Sequence, residues 1–386
     1  MEKVSEGSTQ SVTLPRNQNQ AILLAQYARD FMANGKPSEA VYEKARLFHS
    51  DAFLCGISAI AHHTNAPLVF RKEAAIYELP QGQTQRKKGY AKVFGSEKLT
   101  LAEKAIIANC SAVREWDSNG TVFGYRAGKD GHQAGEFGHN DYYSVVIAAA
   151  QQLDSIDGKT ALKAMVLQDE IRGRLAEVFS LKTYKIDHVV FGALASAVVY
   201  GTLFGATDEQ IESAIGMCIA HYIPFRAIRA GKQLSDSKGA SAAISTEVAI
   251  LSMVRSMNGF IGPKDIFRNP ESIFRLNQPT SGDSPFDIIL GMEGDDFAVM
   301  GMHFKLGLYE HQSAGALAAI VDLIWQNRFI MHNDFDSITS IVIKAYEPAF
   351  GIIGDPAKRD PSTRQSADHS MVYIGTSFVY LSRNPS

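Results

Sequence analysis

Residues 185–218 read KIDHVVFGALASAVVYGTLFGATDEQIESAIGMC. The span from 187 to 205 is strongly apolar and rich in alanine and glycine, which suits a helix packed closely on other helices. Thr207 followed by Gln210 forms a capping box that starts a second helix. Ile211, Ala214, Ile215 and Cys218 then fall on one face of it. Working outward, 143–153, 161–179 and 239–257 also read as helices. Pro37-Ser38 opens a run with apolar side chains at Val41, Ala45, Leu47 and Phe48 that continues through FLCGISAIA. Thr100 and Glu103 make another capping box ahead of Ala105, Ile106 and Ile107. The pattern is helical to about residue 260.

Near residue 258 the character changes. NGFIGPKDIFRNPESIF is a loop with a short helix after it, and SGDSPF and GMEGDD are turn-rich. A helix at about 310–327 precedes Ser340–Glu347, whose alternating, β-branched SIVIKAYE predicts a strand. The expected fold is mainly α: a large all-helical domain at 21–272 and a smaller α+β domain at 273–360. Residues 1–20 are polar and predict a disordered tail. Residues 361–386 read as a return segment to the helical domain.

The chain has 386 residues, 45% of them hydrophobic, which is ample for a sizeable core. A net charge of −3 with 20% charged residues argues for neither nucleic acid nor a membrane surface as partner. An anionic small substrate needs only a local cluster of positive charge. Cys55, Cys110 and Cys218 each sit in an apolar stretch and form no CxxC, so three buried thiols in a reducing compartment are expected. The N-terminus has no apolar signal core and carries Glu2 and Glu6. The expectation is a soluble intracellular protein, cytoplasmic or in the mitochondrial matrix.

The densest polar cluster is 114–144, REWDSNGTVFGYRAGKDGHQAGEFGHNDYYS, a glycine-rich loop between two helices. His132 and His139 with Asp117 or Asp130 could offer metal ligands, but their spacing matches no familiar metal motif. There is no GxxxxGK[ST], no GxGxxG after a strand and no GxSxG. A second cluster, RAIRAGKQLSDSKGASAA, carries Arg226, Arg229, Lys232 and Lys238 ahead of a small-residue helix, which suits a polycarboxylate or an ordinary basic face. His188 opens the apolar helix at 187–205. Lys305, in MHFKLGLYEHQSA, lies among apolar residues with Glu310 and His311 close behind.

Taken in order, these motifs resemble one family. WDSNGT and then GHND, the His188-led helix, RAGKQLSDSKGASAA, NGFIGPKDIF, and DPAKRDPSTRQSADHSMVY are similar to elements of the MmgE/PrpD family, from about residue 40 to about 381. GHND and FKLGLYEHQSA are most similar to fungal 2-methylcitrate dehydratases. The resemblance implies an all-helical domain with a smaller α+β lid, a homodimer, no metal and no cofactor. It implies dehydration of 2-methylcitrate to 2-methyl-cis-aconitate, with cis-aconitate decarboxylase, an iminodisuccinate epimerase or a truncated non-catalytic relative as alternatives. His139, His188, Asp117 and Lys238 would be catalytic. Thr121, Lys305 and His311 would bind the tricarboxylate, and Arg229 of the basic cluster is expected to join them in one cleft. An aromatic hydroxyl of some members would fall near Phe350, which has no proton to donate, and this weighs against decarboxylation. Family members continue past the ADHS element, whereas this chain stops at Ser386, so a truncated product is expected.

Overall fold

The computed structural model describes residues 10–383 except 81, 84, 86, 123–137, 230–232, 306 and 308. The chain divides into two units. The first takes in residues through Arg226 together with Ala240–Phe304, and the second takes in Ala227–Gly239 and Lys305 onward. The sequence puts the change at 272/273; the division falls at 304/305. The reason is packing: Phe274, Phe286, Ile288 and Leu290 are buried in the first unit's core.

The first unit is helical. Its helices are α1 (Gln20–Asn34), α2 (Glu39–Ala61), α3 (Asn65–Ile76), α4 (Ala102–Arg114), α5 (Ser144–Gln152), α6 (Gly158–Val178), α7 (Val189–Leu203), α8 (Asp208–His221), α9 (Asp236–Met257, entering from the second unit) and the short α10 (Ile273–Asn277). Local chemistry sets several starts. Ser38 accepts the Val41 N–H ahead of α2, and Asp157 accepts that of Thr160 ahead of α6. The capping box at α8 forms as expected, Gln210 N–H to Thr207 at 3.2 Å and Thr207 N–H to Gln210 at 2.9 Å. The box expected at Thr100 does not form. Thr100 gives its hydroxyl to the Ala74 carbonyl at 2.7 Å, and Leu101 is the residue before α4.

Helix α7 is buried on every side from Val189 to Gly201. It packs on α6 and α8, and its small residues let neighbours approach. A Cβ at Gly192 would overlap the Tyr142 ring. A buried polar joint ties α6 to the following chain. Glu170 accepts the Gly291 N–H at 2.7 Å and the Ala298 N–H at 2.6 Å, and Arg174 pairs with it at 2.8 Å. Buried carboxylates persist when their acceptors are filled in this way.

The strands are short and sit in two-stranded pairs: β1 (Ser11–Leu14) with β7 (Ile288–Gly291), β2 (Lys36–Pro37) with β8 (Glu293–Gly294), β3 (Tyr90–Lys92) with β4 (Leu99–Leu101), and β5 (Thr121–Val122) with β6 (Gly138–His139). The first pair corrects the expectation of a disordered stretch through residue 20. Ser11 lies opposite Gly291 and Leu14 opposite Ile288, with Leu14 buried. Alternation over so few residues is too short a signal to separate a strand from a polar tail.

The second unit holds α11 (Ala314–Gln326), α12 (Arg328–Asn333), α13 (Glu347–Ile353), α14 (Arg364–Ala367) and α15 (Met371–Leu381). Leu317, Ile320, Met331 and Val379 form one small core, and Ala349, Ile353 and Met371 another. The strand expected at Ser340–Glu347 is not formed. Residues 338–346 carry no regular structure, Val342 is exposed, and α13 begins at Glu347. A strand requires a ladder partner, and among the described residues this unit offers none.

The molecule is therefore mainly α. Among the described residues no helix is long and apolar enough to cross a membrane. Cys110 and Cys218 are buried, and burial pushes both thiols up to about 12; Cys55, expected to be buried, is only half-buried.

Candidate active site

The first unit gathers Asp117, Thr121, His139 and His188. Asp117 follows the end of α4 at φ +54°, a left-handed backbone that Asp tolerates better than most residues. The β5–β6 pair then sets Thr121 opposite His139 and Val122 opposite Gly138. Thr121 is placed by its backbone alone. His132 and Asp130, the other candidate ligands, lie outside the described residues.

His139 is buried, and both ring nitrogens have a near neighbour. Nδ1 is 2.9 Å from the Asn119 carbonyl, and Nε2 is 3.2 Å from Asp117 Oδ1. A carbonyl only accepts, so Nδ1 carries a proton and Nε2 faces the Asp117 carboxylate. Asp117 is ion-paired with the buried Arg114, whose Nε is 3.5 Å from Asp141 Oδ2. Asn119 donates to the other Asp141 oxygen at 2.7 Å. One guanidinium thus bridges two carboxylates, of which Asp117 faces the imidazole.

His188 sits at the entry of α7, with Asp187 Oδ1 3.9 Å from its Nε2. Asp187 is fixed in turn, since its N–H donates to the Pro224 carbonyl at 2.8 Å and its carboxylate accepts the Val189 N–H at 3.3 Å. His139 and His188 meet through Gly138. That glycine has φ +77°, and a Cβ there would overlap the His188 ring.

The residues after His139 anchor the segment to α6. Tyr143 donates to Asp169 at 2.5 Å, Arg172 donates to the same carboxylate at 2.8 Å, and the Arg172 guanidinium lies 5.2 Å from the Tyr142 ring centre. Burial first, then Asp141, raises the Tyr142 phenol well above its ordinary value. Arg114, Gly138, Asp141 and Tyr142 were not singled out from sequence. The available signal was the glycine directly before His139 and the acid two residues after it.

Of the expected cations, Arg229, Lys238 and Lys305 fall in the second unit and Arg226 in the first. Lys238 is buried in the first turn of α9. Lys238 and Lys305 both act on Glu310, whose carboxyl is raised by burial against the opposing Gln312 N–H and the fields of Lys305, Lys238 and Lys358. Arg229 lies in a short 3-10 turn, and His311 is exposed at the start of another. Lys232 lies outside the described residues.

Among the described residues no group of three or more His, Cys, Asp or Glu side chains could hold a metal ion. A cavity of about 650 Å³ opens elsewhere on the first unit, lined by Arg46, His49, Lys92 and Met165 among others. None of the expected site residues lines it, and its cations are paired, Arg46 with Glu43 and Lys92 with Glu97. The polar constellation around His139 is the better seat for chemistry.

The MmgE/PrpD N-terminal domain family matches residues 23–283. Alkylcitrate dehydratase phiI of a fungus (Fungal sp. strain ATCC 74256) is 32% identical over 127 residues, which is 33% of this chain and 25% of that relative. The matched stretch thus spans about a quarter of the curated relative's length.

Proposed function

Because the chain belongs to the MmgE/PrpD family, we propose that it is a hydro-lyase acting on a citrate-type tricarboxylate, with 2-methylcitrate as substrate and 2-methyl-cis-aconitate as product. The observation that carries this reading is the His139 arrangement: Nδ1 locked on the Asn119 carbonyl, Nε2 3.2 Å from Asp117, and Gly138 laid on His188. The relative named an alkylcitrate dehydratase supports the substrate class.

The reaction removes a proton from a carbon next to a carboxylate. The electron pair of that C–H bond becomes the new double bond as the C–O bond at the adjacent carbon breaks. The departing hydroxide takes a proton and leaves as water. One imidazole of the pair His139 and His188 acts as base and the other as acid, and each such group contributes about a hundredfold to ten-thousandfold. Asp117 orients His139, and Thr121 bonds the substrate. Negative charge builds on the carboxylate next to the reacting carbon, and preset cations stabilise it. Lys238, Lys305 and Arg229 are assigned to that task, and His311 to a further carboxylate. No metal or cofactor is required by this scheme, and a homodimer is the proposed assembly.

The test is product analysis with 2-methylcitrate, citrate and cis-aconitate. The expected result is an unsaturated tricarboxylate and water from 2-methylcitrate, and no carbon dioxide from cis-aconitate. Decarboxylation of cis-aconitate without dehydration of either hydroxy acid would overturn the reading.

A further inference from the structure

The second unit contains an acid–imidazole pair that the scheme above does not use. His369 is buried, and its Nδ1 lies 2.5 Å from Asp368 Oδ1. Asp368 also accepts Arg364 at 2.7 Å. The turn bearing this pair is bonded on two sides. Toward α9, the Leu234 N–H donates to Ser366 at 2.7 Å, Thr363 donates to the Leu234 carbonyl at 2.7 Å, and Gln365 donates to Asp236 at 3.0 Å. These residues lie just before Lys238. Toward the other lysine, the Glu310 N–H donates to the Asp368 carbonyl at 2.8 Å, on the segment that follows Lys305.

We infer that Asp368 and His369 are positioning residues that hold the Lys238 and Lys305 ammonium groups at a single carboxylate-binding locus. The inference rests on the tricarboxylate reading above. Two long, flexible lysine chains lose rotamer freedom when fixed, so a scaffold that fixes them beforehand strengthens ligand binding. The imidazole suits that task. With its Nδ1 proton given to Asp368, Nε2 remains an acceptor, the complement of an ammonium donor. It adds no third positive charge beside the lysines. Burial first, then Lys238 and Lys305, lowers His369 to about 3 against the opposing pull of Asp368. The neighbouring charges are Lys238, Lys305, Asp368 and Arg364, with Glu310 and Lys358 beyond them.

The experiment uses tricarballylate, which has the three carboxylates but no hydroxyl to eliminate, titrated calorimetrically into the full chain. His369→Ala is expected to weaken binding about tenfold or more, and His369→Gln, which keeps a neutral hydrogen-bonding group, to recover most of it. In the unaltered protein labelled with ¹⁵N-histidine, the His369 ring is expected to stay neutral and protonated on Nδ1 between about pH 5 and 8, and to shift when tricarballylate is added. That measurement needs no variant to fold. Unchanged binding by His369→Ala, or a ring that titrates in the ordinary range and ignores the ligand, would overturn the inference alone. An unaltered protein that binds no tricarboxylate would overturn the functional reading and this inference with it.

Discussion

Gly138 lies against the imidazole of His188, close enough that a Cβ at 138 would collide with Cε1, Nδ1 and Nε2. With φ at +77° the position is left-handed as well. Two independent restraints therefore require glycine here, and both serve to bring the chain at His139 onto the head of α7. Gly138→Ala is expected to cost about 1–2 kcal/mol for the backbone and about 1–3 kcal/mol for overpacking. Turnover is expected to fall with stability, because the His188 ring must move. Urea unfolding and steady-state rates measure both; a variant unchanged in each would show that the approach is not needed.

Arg114 is buried between Asp117 and Asp141. Arg114→Met removes the cation and leaves two carboxylates facing each other out of water. Removing one partner of a buried pair costs about 3–5 kcal/mol. A urea midpoint within experimental error of the parent would contradict the assignment of this residue as their shared counter-ion.

His369 predicts an acid sensitivity of stability. An unfolded imidazole takes up a proton as pH falls through about 6.5, whereas the folded one does so only near 3. Between those values the unfolded chain binds more protons. Stability therefore falls on acidification across that window, by up to about 1.4 kcal/mol per pH unit from this group. Glu310, raised mainly by burial, works in the opposite sense, so the difference between the parent and His369→Gln isolates the imidazole. Parallel pH–stability curves for the two proteins would rule out a neutral, buried His369.

The cap of α8 offers a check on the helical reading itself. Thr207→Ala removes the acceptor for the Gln210 N–H and is expected to destabilise by about 0.5–2 kcal/mol. Differential scanning calorimetry would show a lowered midpoint; an unshifted midpoint would mean that the box contributes nothing.

Much of the helical body is legible in the sequence because periodicity and caps are local. The spans read at 143–153, 161–179, 187–205 and 239–257 correspond to α5, α6, α7 and α9. The failures are non-local. Ser11–Leu14 becomes a strand only because Ile288–Gly291 lies beside it, and Ser340–Glu347 has strand chemistry with no ladder to join among the described residues. The candidate site divides in the same way. Asp117 and His139 stand out as chemistry-bearing residues in a glycine-rich loop. Arg114 reads only as the end of a helix, and its role depends on Asp141 arriving from the far side of that loop. The Asp368–His369 pair was visible as part of ADHS, yet its bonds to 234 and 310 require the fold.

The most direct test of the acid–base claim is the rate of 2-methylcitrate dehydration by His139→Asn and His188→Asn beside the parent protein, with folding checked by circular dichroism. The account predicts that each substitution lowers kcat by about a hundredfold or more while KM changes far less. Parent-like rates in both folded variants would contradict it.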